Sequence, residues 1–151
     1  MSIADAPSDP VAQLQWLVDR AQISELLVEF ARALDERDWA AYAATYAADG
    51  ELAISPSVAH RGRAGMAEFV AQSLSGYPGG THHISANHSL RIDGDSATTR
   101  SYLIAAHIYE LDRQAVGAGW YDCRLTRTPD GWRFVHVALT IRYVSGEPIA
   151  H

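Results

Sequence analysis

The stretch "THHISANHSLRIDGDSATTRSYLIAAHIYEL", residues 81–111, decides the fold. It alternates polar and apolar residues with the period of a strand, and Asp93-Gly94-Asp95 interrupts it with turn chemistry. Two similar runs follow, "GAGWYDCRLTR" (117–127) and "WRFVHVALTIRYV" (132–144), after the connecting segments "DRQAVG" and "TPDG". Four long strands joined by short connections predict an antiparallel meander.

Upstream the period changes to that of helices. Asp9-Pro10 supplies an N-cap followed by proline at the first helical position. An apolar stripe runs Val11, Leu14, Leu17, Val18, Ala21, then resumes out of phase as Ile23, Leu26, Leu27, Phe30, Leu34. The phase shift predicts either a break near Arg20–Gln22 or one helix touching two surfaces. Asp38 is placed to cap a short helix carrying Trp39, Tyr42, Ala43 and Tyr46, and "ELAIS" (51–55) reads as a short strand. A third helical segment lies in "RGRAGMAEFVAQSLSGYPGG" (61–80), with Met66, Phe69, Val70 and Leu74 on one face and Pro78-Gly79-Gly80 ending it. Helices first and sheet second predict an α+β domain over residues 9–146, with tails at 1–8 and 147–151. Helices closing one side of a strongly curved sheet leave a cone-shaped interior able to hold a small ligand.

Composition narrows the function. The chain has 151 residues and a formal net charge of −6, with no basic block, which disfavours nucleic-acid partners. No run approaches the roughly 20 apolar residues that span a bilayer, so no membrane partner is expected. The start "MSIADAPSDP" has neither the basic nor the apolar part of a signal peptide, and the single cysteine, Cys123, forms no internal disulfide. A cytoplasmic protein is the default expectation.

Three of the seven histidines, His82, His83 and His88, fall within seven positions. Strand alternation puts His83, Ser85, Asn87 and Ser89 on one face, and His82, Ile84, Ala86, His88 and Leu90 on the other. His82 and His83 then cannot share a metal, and no metal site is expected. On the next strand Ser101, Leu103, Ala105, His107 and Tyr109 share a face. Gly-rich phosphate loops and nucleophile elbows are absent.

With these elements in place, the chain resembles the SnoaL-like group of the nuclear transport factor two superfamily. The resemblance is carried by "RAQISELLVEFARALDERDWAAYAATYAADGEL" (20–52), "THHISANHSLRIDGDSATTRSYL" (81–103), and "GWYDCRLTRTPDGWRF" (119–134) with "IRY" behind it. It is most similar to the dehydratase-like branch: scytalone dehydratase, bile-acid dehydratases and hexachlorocyclohexane dehydrochlorinase. The resemblance implies that Asp35, in "LD..DW", orients His83 as catalytic base, and that His107 is a second catalytic group. It implies a substrate pocket drawing on Phe30, Tyr46, Ile54, Tyr102, Trp120, Asp122 and Arg142. Phe30 stands where the bile-acid enzymes carry a catalytic tyrosine. Leu34 and Ile54 replace substrate-activating tyrosines of scytalone dehydratase, and Val137 an arginine of the dehydrochlorinase. Tyr42, Tyr46, Tyr102 and Tyr121 are the candidates to supply a hydroxyl instead.

The chemistry implied is proton abstraction. An imidazole with an ordinary pKa near 6.5 accepts a proton at neutral pH. A carboxylate on its other nitrogen fixes the tautomer and stabilises the imidazolium. Elimination or isomerisation of a small hydrophobic cyclic molecule then needs no redox cofactor. The alternative is a non-catalytic ligand-binding or assembly subunit of the same fold. The resemblance, with apolar residues on the outer sheet face, also implies a homodimer or homotrimer.

Overall fold

The computed structural model describes residues 6–149. The elements run α1 (Pro10–Asp35), α2 (Trp39–Ala44), β1 (Tyr46–Ser55), β2 (Val58–Arg61), α3 (Met66–Ser73), β3 (Gly80–Asp93), β4 (Ser96–Glu110), β5 (Arg113–Thr128) and β6 (Gly131–Gly146). The six strands form one curved sheet in the order β2-β1-β6-β5-β4-β3. All neighbouring strands are antiparallel except β1 and β6. The predicted meander is β3 to β6. Strand β2 was not foreseen in the sequence, and the third helix begins at Met66 beyond it. The sheet does not close into a barrel: β2 and β3 are its two free edges.

α1 is a single unbroken helix, so the phase shift marks a change of surroundings. Asp9 caps it, its carboxylate accepting from the Ala12 N–H at 2.9 Å. The first apolar stripe stays in solvent, with Val11, Leu14, Leu17 and Val18 all exposed. Trp16, Asp19 and Ile23 face inward instead. Asp19 is the reason the first half of α1 docks. Its carboxylate accepts two hydrogen bonds from Arg127 at 2.6 and 2.8 Å, one from the Trp132 indole at 3.2 Å and one from the Gln15 amide at 3.1 Å. These bonds, led by that of Arg127, hold its pKa below the ordinary carboxylate value against the opposing effect of burial.

The second half of α1 packs on the inner face of the sheet against β3 and β6, and α2 packs against α1, α3 and β1. Phe30 sits at the centre of an aromatic cluster, its ring 4.8 Å from Tyr42, 5.2 Å from Tyr121 and 5.4 Å from Phe134. Tyr42 and Tyr46 share a hydrogen bond of 3.0 Å between their hydroxyls. Burial raises both phenols well above their ordinary pKa. Asp38 caps α2 as predicted, accepting from the Ala41 N–H at 3.0 Å. Beyond β6, the Glu147 N–H donates to the Gln114 carbonyl and the Tyr109 hydroxyl to the Pro148 carbonyl. The expected tails at 1–8 and 147–151 lie partly outside the described residues. Among the described residues no helix is long and apolar enough to cross a membrane.

Candidate active site

The site forms where the last turn of α1 meets the edge strand β3. Gly79 and Gly80 make the approach possible. A side chain at Gly79 would strike Ile108 on β4 at 2.5 Å, and Gly80 adopts φ +91°, a region that favours glycine. β3 then pairs with β4 so that Thr81 lies opposite His107 and His83 opposite Ala105.

Asp35 is the last residue of α1, where the helix macrodipole disfavours a carboxylate. Three donors compensate. The His83 N–H donates to Oδ2 at 2.8 Å, the Thr81 hydroxyl to Oδ1 at 3.0 Å, and the His83 ring bonds Oδ1 through Nδ1 at 2.6 Å. Burial would raise the Asp35 pKa, but the ring and backbone bonds from His83, its charge and the Thr81 hydroxyl outweigh it and lower it. An ionised carboxylate only accepts, so the hydrogen between the two side chains belongs to His83 Nδ1. Nε2 is left as the basic nitrogen. The His83 side chain is 5% exposed. His82 points the other way, 71% exposed, with its ring 3.9 Å from Asp35.

His107 faces the same interior. Its ring meets that of His83 edge to face at 5.9 Å. Burial, reinforced by the charge of His83, lowers its pKa to about 4. The carbonyls of Ala115 and Ala105 favour its protonated form without reversing the shift, and Nδ1 is buried with no hydrogen-bond partner. His107 is therefore a neutral imidazole at pH 7. Tyr77, buried, packs its ring 4.7 Å from His107, and Arg37 donates to the Tyr77 carbonyl. Tyr77 escaped the sequence reading because it sits in a Gly/Pro stretch with no periodicity. An aromatic residue just before a histidine-bearing strand was the one available signal.

The structure divides the expected pocket residues. Phe30 and Tyr46 are in the buried core and Ile54 packs against it. Tyr102, Trp120, Asp122 and Arg142 lie on the opposite face of the sheet and do not join Asp35 and His83. The pairings explain this. Tyr102 lies opposite Trp120 and Arg100 opposite Asp122, alternating with the inward pairs Ser101–Tyr121 and Thr99–Cys123. Arg100 holds Asp122 through two bonds of 2.7 and 2.8 Å, and the Trp120 indole donates to the same carboxylate at 3.1 Å. Alternation along β6 carries Arg142 to that face as well, two residues beyond Thr140, which lies opposite Trp120, and 5.8 Å from the Trp120 ring. Of the tyrosines proposed to supply a hydroxyl, Tyr102 is thus on the outer face and Tyr42 and Tyr46 are bonded to each other. Tyr121 faces inward, its pKa raised by burial and, to a lesser degree, by the Asp35 charge.

The alternation of β3 also needs correction. Asn87 adopts φ +52°, and the pairing with β4 slips between Ala86 and Ser89. This bulge brings His88 and Leu90 to the same face as His83 and Ser85, where strict alternation put them opposite. His88 Nε2 lies 3.1 Å from Ser85 Oγ, and Ser85 Oγ lies 2.6 Å from Ser101 Oγ. Among the described residues no group of three or more His, Cys, Asp or Glu converges on one point.

A sheet wrapped by N-terminal helices, with an Asp–His pair where the long helix meets the edge strand, is the architecture of an NTF2-like α+β protein. Residues 15–138 match the SnoaL-like domain, and the chain belongs to that family. An uncharacterised protein of Mycobacterium tuberculosis is 32% identical over 120 residues, covering 78% of this chain and 81% of that one. A provisionally assigned scytalone dehydratase from Novosphingobium aromaticivorans superposes with a TM-score of 0.80 at 20% identity, over 89% of this chain and 91% of that chain. A type 2 hexachlorocyclohexane dehydrochlorinase superposes with the same TM-score of 0.80 and 20% identity, over 91% and 95%. At that identity these structures share the fold, one that serves dehydratase-type proteins.

Proposed function

We propose that this protein is a cofactor-independent lyase or isomerase that removes a proton from carbon in a small hydrophobic cyclic substrate. The observation that carries the reading is the 2.6 Å bond between Asp35 Oδ1 and His83 Nδ1 on a nearly buried imidazole. His83 Nε2 takes the proton. The carboxylate of Asp35 stabilises the imidazolium that forms, in surroundings where water screens the pair poorly. His107 is neutral at pH 7, so it serves as a hydrogen-bond donor to the oxygen that gains charge, either an enolate or a departing hydroxyl.

The fused-ring ketone 1-tetralone tests this, because it is small and apolar and has an acidic C–H beside its carbonyl. The wild-type protein is expected to catalyse deuterium exchange at that carbon, followed by proton NMR. Asp35→Asn and His83→Ala should each lower the rate by ~10²–10⁴. The double variant should lose little more than the worse single one, because the pair acts as a unit. Exchange that survives in folded His83→Ala contradicts the assignment of the base. Tight binding of the ketone with no exchange by the wild type favours a ligand-binding subunit instead.

A further inference from the structure

The Ser85–His88–Ser101 cluster lies beside the proposed base and takes no part in it. Ser85 and His83 are two residues apart on the inner face of β3, roughly 7 Å along the strand. The bulge at Asn87 is what turns His88 inward to meet Ser85. A left-handed conformation is uncommon outside glycine, and asparagine is among the residues that tolerate it best.

Hydrogen counting gives the cluster a direction. Ser101 is 0% exposed, and its described hydrogen bond is to Ser85. Its buried O–H is satisfied by donating to Ser85 Oγ. The Ser85 hydrogen is then directed to His88 Nε2, which accepts it as part of a neutral ring. Burial lowers the His88 pKa and so favours the neutral ring, although the backbone of Ser85 partly opposes the shift. In this arrangement Ser85 has used its hydrogen and one lone pair. One lone pair remains. It can accept from a ligand, and Ser85 has nothing left to donate.

We propose that Ser85, oriented by Ser101 and His88, selects substrates that carry an O–H donor roughly 7 Å from the carbon His83 deprotonates. The proposal rests on the base assignment for that spacing, whereas the preference for a donor follows from the cluster alone. It narrows the substrate class from hydrophobic rings to hydroxylated ones, with the hydroxyl far from the reacting carbon.

The test compares 6-hydroxy-1-tetralone with 6-methoxy-1-tetralone, which keeps the oxygen and loses the donor. Dissociation constants are measured by calorimetry on the full chain. The wild type is expected to bind the hydroxy ketone about tenfold more tightly, the effect of one neutral hydrogen bond. Ser85→Ala should bring the two affinities within about twofold. His88→Ala should also narrow the gap, because the freed Ser85 hydrogen then serves the methoxy oxygen too. Asn87→Gly, which keeps the left-handed bulge, should leave the preference intact. Equal affinities in the wild type, including failure of both ketones to bind, overturn the proposal, as does a preference that survives in Ser85→Ala. A preference for the hydroxy ketone without deuterium exchange sinks the base assignment and leaves the donor selection standing.

Discussion

The two faces of the sheet are built from alternate residues of the same strands, yet they hold their polar groups differently. On the inner face of β3 and β4, Thr81, His83, Ser85, His88, Ser101 and His107 sit among apolar side chains, and most of their hydrogen bonds are to one another or to Asp35. On the outer face, Arg100, Asp122, Trp120 and Arg142 form exposed ion and ring contacts. A hydrogen bond or charge shifts a proton equilibrium far more where water is excluded. The inner face can therefore tune histidines, as His107 shows. The outer face, with Tyr102, Ile104 and Tyr143 exposed, is better suited to covering by another protein surface.

The largest effect that can break this comparison is the loss of proton exchange in the Asp35 and His83 variants described above. The next concerns the anchor that holds α1 over the inner face. Asp19→Ala strips Arg127 and the Trp132 indole of a shared acceptor. It should cost about 2 kcal/mol of stability in urea unfolding, because the buried Trp132 indole loses its acceptor while Arg127 keeps only Asp95, at the exposed end of the cluster. A loss well under 1 kcal/mol would mean that apolar packing alone docks the helix.

Acid should sharpen the contrast further. The folded-state pKa of His107 is about 4, below its ordinary 6.5. As pH falls through that window the unfolded chain takes up a proton that the folded one refuses, so stability falls between pH 6.5 and about 4. At about 1.4 kcal/mol per tenfold change in proton affinity, the loss is bounded at roughly 3 kcal/mol. Asp19 and Asp35, both lowered, add a further loss only below the ordinary carboxylate range. His107→Phe should flatten the upper part of this dependence in thermal melts. An unchanged slope between pH 6.5 and 4 would show that His107 is open to water.

The smallest effect is expected on the outer face. Trp120→Ala should change the exchange rate by less than about twofold, since it touches nothing in the dyad. If this face holds a homodimer or homotrimer, the same variant should lower the mass seen in sedimentation. A large loss of exchange with unchanged mass would bring Trp120 back to the site.

Much of this was legible in the sequence, and what was not has physical causes. The helix caps at Asp9 and Asp38, the four long strands and the Asp35–His83 pairing follow from local chemistry and from the family resemblance. Strict two-residue alternation also sorts Tyr102, Trp120 and Asp122 outward from Ser101 and Tyr121 once the strands are paired. What it cannot supply is a bulge. Asn87 and the slip near Arg142 each reverse the faces of the residues beyond them; the first has no glycine to mark it, and the second is marked only on the partner strand, by Gly119. Asp19 was hidden for a different reason: its partners Arg127 and Trp132 are more than a hundred residues away.

The central claim is that Asp35 holds His83 as a base with Nε2 free, and nitrogen-15 NMR of the His83 imidazole tests it without any substrate. Spectra recorded well above the ordinary imidazole range of pH should show Nδ1 protonated and Nε2 bare. Asp35→Asn should remove that fixed preference. A neutral His83 found protonated on Nε2 in the wild type would contradict the account.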